Sequence, residues 1–172
     1  MAFITPNTPN LVDFTDFLTT SVQIPVAALP TNSVWIGYAF NQAMALTPCL
    51  GGGGFGYQAA PYSGGILYTL AVYNCGTALL FLITPDQSGQ TYFADARSSA
   101  PSANFPSGGF GLNVPRTGLV DASSDESTSS HLVAPKWAAG LTVGQLGFYA
   151  TPYGRQYLSY IQAAGPSVVG LT

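Results

Sequence analysis

The chain has 172 residues with four Lys and Arg against seven Asp and Glu, so only 6% of it is charged, where soluble globular domains usually carry about 25%. An apolar content of 47% excludes intrinsic disorder, and four basic side chains cannot neutralise the phosphates on which nucleic-acid binding depends. The length suits one domain whose core needs neither disulfides nor metals for stability. So little surface charge points to burial against other subunits.

The charges are unevenly placed. No Lys or Arg precedes Arg97; up to there the charges are Asp13, Asp16, Asp86 and Asp95, and Arg116, Lys136 and Arg155 follow later. Residues 1–10 lack the basic and apolar regions of a secretory signal, so export by that route is not expected. Cys49 and Cys75 match no CxxC spacing and are read as buried free thiols, with a single bridge between them as the minor alternative. No Asn-x-Ser/Thr acceptor occurs.

In chain order, Thr8-Pro9 predicts a helix start, with Thr as N-cap and Pro at the first helical position. Leu11, Phe14, Leu18 and Val22 recur at helical spacing as one apolar face. Asp13 and Asp16 suit the positive end of that helix's dipole, and Pro25 with Pro30 bracket the following turn. A second helix is expected from Ser33 to Thr47, packing through Trp35, Ala39, Met44 and Leu46 and ended by Pro48. Gly51–Gly56 is flexible by composition, and a third helix is expected over Tyr62 to Ile83. Its uncharged run Ile66–Ile83 is long enough for a membrane span. Thr69, Asn74 and Thr77 interrupt that run and no basic residue flanks it, so it reads as a buried helix.

Thr84 to Gly89 reads as a turn, and Gln90–Arg97 as a short amphipathic stretch. From Ser98 to Pro135, Ser, Gly, Pro, Ala and Asn dominate without helical period. So long an irregular stretch reads as a functional arm, with a hairpin around Phe110–Val120. Thr142 with Gln145 makes a capping box. Thr151-Pro152 repeats the N-cap-plus-proline signal, with Tyr153, Tyr157, Tyr160 and Ile161 on one face of the last helix. Gly165-Pro166 stops that helix, and the uncharged tail Ser167–Thr172 is expected to dock on something. The fold expected is mainly α: a small helical bundle with one long irregular or hairpin-like arm and an extended C-terminal tail. It forms one domain, with a helical core over 8–97 and 141–165, an arm over 98–135 and a tail over 166–172.

No constellation of catalytic chemistry stands out. Gly51, Gly53 and Gly56 fit G-x-G-x-x-G, but a helix precedes them and no acid follows about twenty residues on, so they read as a glycine hinge. His131, the one histidine, lies near Asp121, Ser123, Ser124, Asp125 and Glu126, the residue types of a hydrolytic triad. No G-x-S-x-G elbow accompanies them, and a solvated serine-rich loop is the plainer reading. One His, two distant Cys and scattered acids give no metal-ligand spacing. Asp13/Asp16 and Asp125/Glu126 read as helix-start and loop acids rather than a glycosidase pair. Asp95, Arg97 and Arg155 read as members of structural or inter-subunit ion pairs. Catalytic, cofactor-binding and metal residues are thus expected to be none.

Several segments together resemble small virion proteins of tailed bacteriophages. They are Asp16-Phe17-Leu18-Thr19-Thr20 with Ile24-Pro25-Val26-Ala27-Ala28-Leu29-Pro30, Leu67 to Asn74, Tyr92-Phe93-Ala94-Asp95, and Ser123-Ser124-Asp125 with Ser127-Thr128-Ser129. The most specific is Leu141-Thr142-Val143 leading to Thr151-Pro152-Tyr153-Gly154-Arg155-Gln156-Tyr157-Leu158. The similarity spans most of the chain, interrupted at Gly51–Gly65 and Ala100–Phe110, and resembles the head–tail connector proteins of the adaptor, or head-completion, group. The resemblance implies a helical protomer that assembles twelvefold into a ring beneath the phage portal protein, extends the DNA channel and presents a platform for the next neck or tail protein. The implied location is the neck of the virion, after synthesis in the host cytoplasm, with DNA met only as non-specific channel content and no membrane. Ser167, Val168, Val169, Gly170, Leu171 and Thr172 would dock on the portal. The arm, with Phe105, Phe110, Leu112, Val114, Arg116 and Leu119, would face a neighbouring subunit or the tail. The alternatives are another virion subunit (nozzle, tail-tube or capsid-cementing protein) and, remotely, a small hydrolase using Ser123 or Ser124 with His131.

Overall fold

The computed structural model describes residues 7–47, 65–112, 119–123, 130–133 and 143–163. Its helices are α1 (Leu11–Thr20), α2 (Val34–Leu46), α3 (Ile66–Ile83), α4 (Tyr92–Arg97), α5 (Val143–Ala150) and α6 (Pro152–Ala163). Two strands, β1 (Leu119–Ser123) and β2 (Ser130–Val133), lie between α4 and α5. The architecture is mainly α, a small helical bundle. α3 is its central helix: α2 and α6 pack along it, and α1, α4 and α5 complete the surround. Ala43 lies beside Gly76 while Val34 and Ile83 line one groove, so α2 runs antiparallel to α3. Tyr153 stacks on Phe81 and Tyr157 lies beside Cys75, so α6 is antiparallel to α3 as well.

α1 starts two residues later than the Thr8-Pro9 signal predicts. Asn10 is the N-cap, its Oδ1 accepting the Asp13 N–H at 2.8 Å. Asn10 is further held by Tyr73 of α3, whose hydroxyl accepts the Asn10 N–H (3.2 Å) and donates to the Asn10 carbonyl (3.1 Å). The buried face is Phe14, Phe17 and Leu18, with Val22 beyond the helix end, while Leu11 is exposed. Gln23 then takes a left-handed φ of 63°, which lets the Ile24 N–H reach back to the Leu18 carbonyl at 3.0 Å. That turns the chain back against the helix end, before Pro25 prevents its continuation.

α2 matches its expected bounds, with Ser33 as N-cap and Thr47 as C-cap. Ile36, Ala39 and Ala43 are its buried residues; Trp35 packs at the margin of the core, and Met44 and Leu46, expected inside, are exposed. α3 is long and apolar enough to cross a membrane, yet 67% of that stretch is buried inside the bundle. Two of its polar residues are accommodated locally, Asn74 donating to the Leu70 carbonyl and Thr77 to the Tyr73 carbonyl, both at 2.8 Å, whereas the buried Thr69 hydroxyl has no hydrogen-bond partner among the described residues. Gly76 admits the Phe14 ring, whose Cζ would lie 2.8 Å from any Cβ there. Each large side chain buried in this way, Phe14 and Phe81 among them, stabilises the fold by about 1.5–3 kcal/mol.

The stretch after α4 differs from the expected arm. Residues 98–112 fold back on the bundle, with the Phe110 N–H donating to the Ala96 carbonyl at 2.6 Å. Phe110 meets Phe81 edge-on at 5.0 Å between ring centroids, and Phe105 lies 5.2 Å from Tyr92. Two aromatic side chains in a Gly- and Ser-rich segment have no periodicity to read, but an aromatic cluster around Phe81 gives them a place to bury. The hairpin also lies later than expected around Phe110–Val120: β1 and β2 pair antiparallel, Leu119 opposite Val133, with a bulge between Val120 and Ala122.

α6 begins as its signal predicts, Thr151 Oγ1 accepting the Gly154 N–H at 2.9 Å. A Cβ on Gly154 would collide with the Phe148 carbonyl, so the tight α5–α6 junction requires glycine. Tyr157 is buried, and Tyr153, Tyr160 and Ile161 pack against the core as their spacing predicts. The third helix's expected start at Tyr62, the Gly51–Gly56 hinge, Cys49, Thr142 and the Gly165-Pro166 stop lie outside the described residues.

Candidate functional site

Most charged groups that are described sit at helix ends. Arg97, on α4, donates from Nη1 to the carbonyls of Thr84 (3.0 Å), Leu82 (3.3 Å) and Phe81 (3.5 Å). The guanidinium thus covers the unpaired carbonyls and negative dipole end of α3. Arg155 does the same for α5, donating to the Tyr149 carbonyl at 3.2 Å. Asp86 accepts the Phe93 N–H (2.6 Å) and the Ala94 N–H (2.9 Å) at the start of α4. Asp95 accepts from Thr91 (3.1 Å) and from Asn104 (2.7 Å), tying α4 to the fold-back segment.

Of the reactive residue types, Cys75 lies on α3, and Ser123 and His131 lie in the hairpin. Cys75 is a buried free thiol beside the hydroxyls of Thr47 and Tyr157, and burial pushes its pKa up to about 12. The thiol is therefore held in its protonated form near neutral pH, the less nucleophilic one. Tyr157 is likewise pushed up by burial, and its hydroxyl donates to the Leu46 carbonyl at 3.1 Å. In the hairpin, His131 stands opposite Ala122, whereas Ser123 stands opposite Ser130. Ser124, Asp125 and Glu126 lie outside the described residues. No group of three or more His, Cys, Asp or Glu placed to hold a metal occurs among the described residues.

What the bundle does present is an apolar strip. Val34, 79% exposed at the start of α2, separates two grooves. One, an open groove of ≈ 610 Å³, is lined by Val34, Trp35, Tyr38 and Ile83. The other runs between the first turns of α1 and α2 past Leu11, Val12 and Ile36, with the uncharged polar residues Thr15, Thr31, Asn32 and Ser33 also lining it. Val12 is 72% exposed and Tyr38 52%, and among the described residues no charged side chain lines either groove. Contiguous apolar surface of this kind marks interaction sites on soluble proteins.

Comparison with known proteins finds no matching family model, no matching curated protein and no matching solved structure. The function therefore has to be argued from these surfaces.

Of the expected arm residues, Phe105, Phe110 and Leu112 pack against the chain's own core. Leu119 opens β1, and Val114, Arg116 and the tail Ser167–Thr172 lie outside the described residues. The strip was not anticipated from sequence, because Leu11 reads as a core residue by its spacing. A usable signal was Val12 and Val34, apolar residues lying off the buried faces of their helices.

Proposed function

We propose that the chain is a structural subunit of a tailed-phage virion: an adaptor that forms a ring between the portal and the tail or neck and extends the DNA channel. The observation that carries this reading is the exposed, uncharged strip from Leu11 and Val12 across Val34 to Tyr38 and Ile83. A subunit buried between neighbours needs apolar surface and little charge, because charges left without partners at an interface core are costly to desolvate. The two described arginines serve helix ends, which supports a stabilising role for charge over a recognition role. The resemblance of Thr151 to Leu158 and the other quoted segments to adaptor proteins supplies the virion context, and with it the portal-docking role of Ser167–Thr172. The reading assigns the chain no catalytic step and no cofactor; its partners are copies of itself, the portal protein and the next neck or tail protein.

Sedimentation velocity and negative-stain imaging of the full chain test the reading, alone and with portal rings. Closed rings of defined order are expected. A monomer at every concentration that also fails to order on a portal ring would overturn it.

A further inference from the structure

Most described charged side chains are engaged within the chain. Asp13 accepts from the Asn10 amide at the α1 cap, Asp86 holds the start of α4, and Asp95 holds Thr91 and Asn104. Arg97 is turned onto the α3 carbonyls. Asp16 on α1 and Arg155 on α6 differ, both being exposed. The Asp16 carboxylate holds no partner among the described residues; Thr19 and Thr20 bond its backbone carbonyl instead. Arg155 gives the Tyr149 carbonyl one donor. A guanidinium has five, in a fork that fits a carboxylate.

These two groups lie on roughly opposite sides of α3. Tyr73 and Gly76 meet Phe14 of α1, and Gly76 also meets Ala43 of α2. Cys75 and Phe81 meet Tyr157 and Tyr153 of α6, and Leu82 meets Gly147 of α5. At about 3.6 residues per turn, the first pair points away from the second set. Asp16 stands beside Thr15 on the outer face of α1, at the rim of the groove that Thr15 lines with Leu11, Val12 and Val34. Arg155 stands among the exposed residues Pro152, Gln156 and Ser159, the only charge on that face of α6 among the described residues. Complementary charges on opposite sides cannot share one self-complementary patch. They suit a head-to-tail contact, from which a closed ring is built. An apolar centre with a polar rim is also the usual anatomy of an interface.

We propose that each ring junction seats the α1/α2 face of one copy on the α6 face of the next, with Asp16 paired to Arg155 across the rim of the apolar strip. The inference rests on the ring reading above and commits that face to a second copy of this chain. Sedimentation velocity of the full chain, of Asp16→Arg, of Arg155→Asp and of an equimolar mixture of the two variants tests it. Each variant alone sets like charges at every junction and is expected to associate about tenfold or more weakly than the parent. The mixture restores opposite charges at junctions between unlike copies, so association is expected to recover. Recovery also shows that both variants fold, although Arg155→Asp removes a helix-end donor. Single variants that assemble like the parent, or a mixture as weak as its components, overturn the Asp16–Arg155 junction and leave the ring reading standing. Absence of rings from the parent at every concentration overturns both.

Discussion

At Arg97, one side chain serves three carbonyls at the end of the longest helix. Replacing it with Met keeps the aliphatic stem and removes the donors, so Arg97→Met is expected to cost about 1.5–3 kcal/mol in urea unfolding. Asp95→Asn keeps an acceptor for Thr91 and Asn104 and is expected to stay within about 0.5 kcal/mol. Equal losses in both variants would support an ion-pair reading. At the α5–α6 junction, Gly154→Ala forces a methyl group onto the Phe148 carbonyl. About 1–3 kcal/mol of destabilisation follows from such overpacking, seen as a lower thermal midpoint; an unchanged midpoint would mean the junction is looser than described. The caps at Ser33 and Thr151 were legible from the local sequence. At α1, Thr8-Pro9 competed with Asn10, and the two hydrogen bonds from Tyr73, 63 residues away, favour Asn10 in a manner no local signal carries.

Among the elements, α3, α4 and α6 hold buried titratable groups, and these set a pH dependence. Burial raises the Cys75 thiol from 9.0 to about 12 and the Tyr92 hydroxyl from 10.0 to about 12; Tyr73, Tyr153 and Tyr157 are raised in the same way. In the unfolded chain these groups lose their protons near their ordinary values. Above about pH 9 the unfolded state therefore binds fewer protons than the folded one, and stability falls as pH rises. Below that pH both states are protonated and the contribution is complete. The denaturation midpoint is expected to be level through neutral pH and to decline steadily from about pH 9 to 12. A midpoint that rises over that interval would contradict the burial of these groups. That α3 is an interior helix was readable from its uncharged, all-round apolar composition. Its neighbours were not, because a helix apolar on every side has no face from which to infer direction.

For the molecule as a whole, the strip around Val34 is the surface on which association turns. Val34→Asp places a carboxylate on its most exposed residue, away from the core. Circular dichroism and thermal midpoint are expected to stay near those of the parent, while self-association weakens by about tenfold or more. Unchanged rings in this variant would remove the strip from the interface. The strip escaped sequence reading for a plain reason: Leu11 and Val12 come from α1, Val34 and Tyr38 from α2, and Ile83 from the end of α3. Only the antiparallel pairing of α2 with α3, and the seating of α1 against α2, makes one surface of them.

Composition and local pattern were enough for the helical class, for the ends of α2, for the start of α6 and for the interior character of α3, because each depends on neighbours within about one helical turn. The site of the hairpin, the return of Phe105 and Phe110 to the core, the seating of Arg97 on the α3 carbonyls, and the apolar strip were decided by tertiary structure. Each of these joins residues whose separation along the chain carries no period, so it exists only once the helices have packed. The scarcity of charge, plain from the first reading, acquired its local meaning there: the two described arginines cap helix ends, and among the described residues no charged side chain lines the grooves beside Val34.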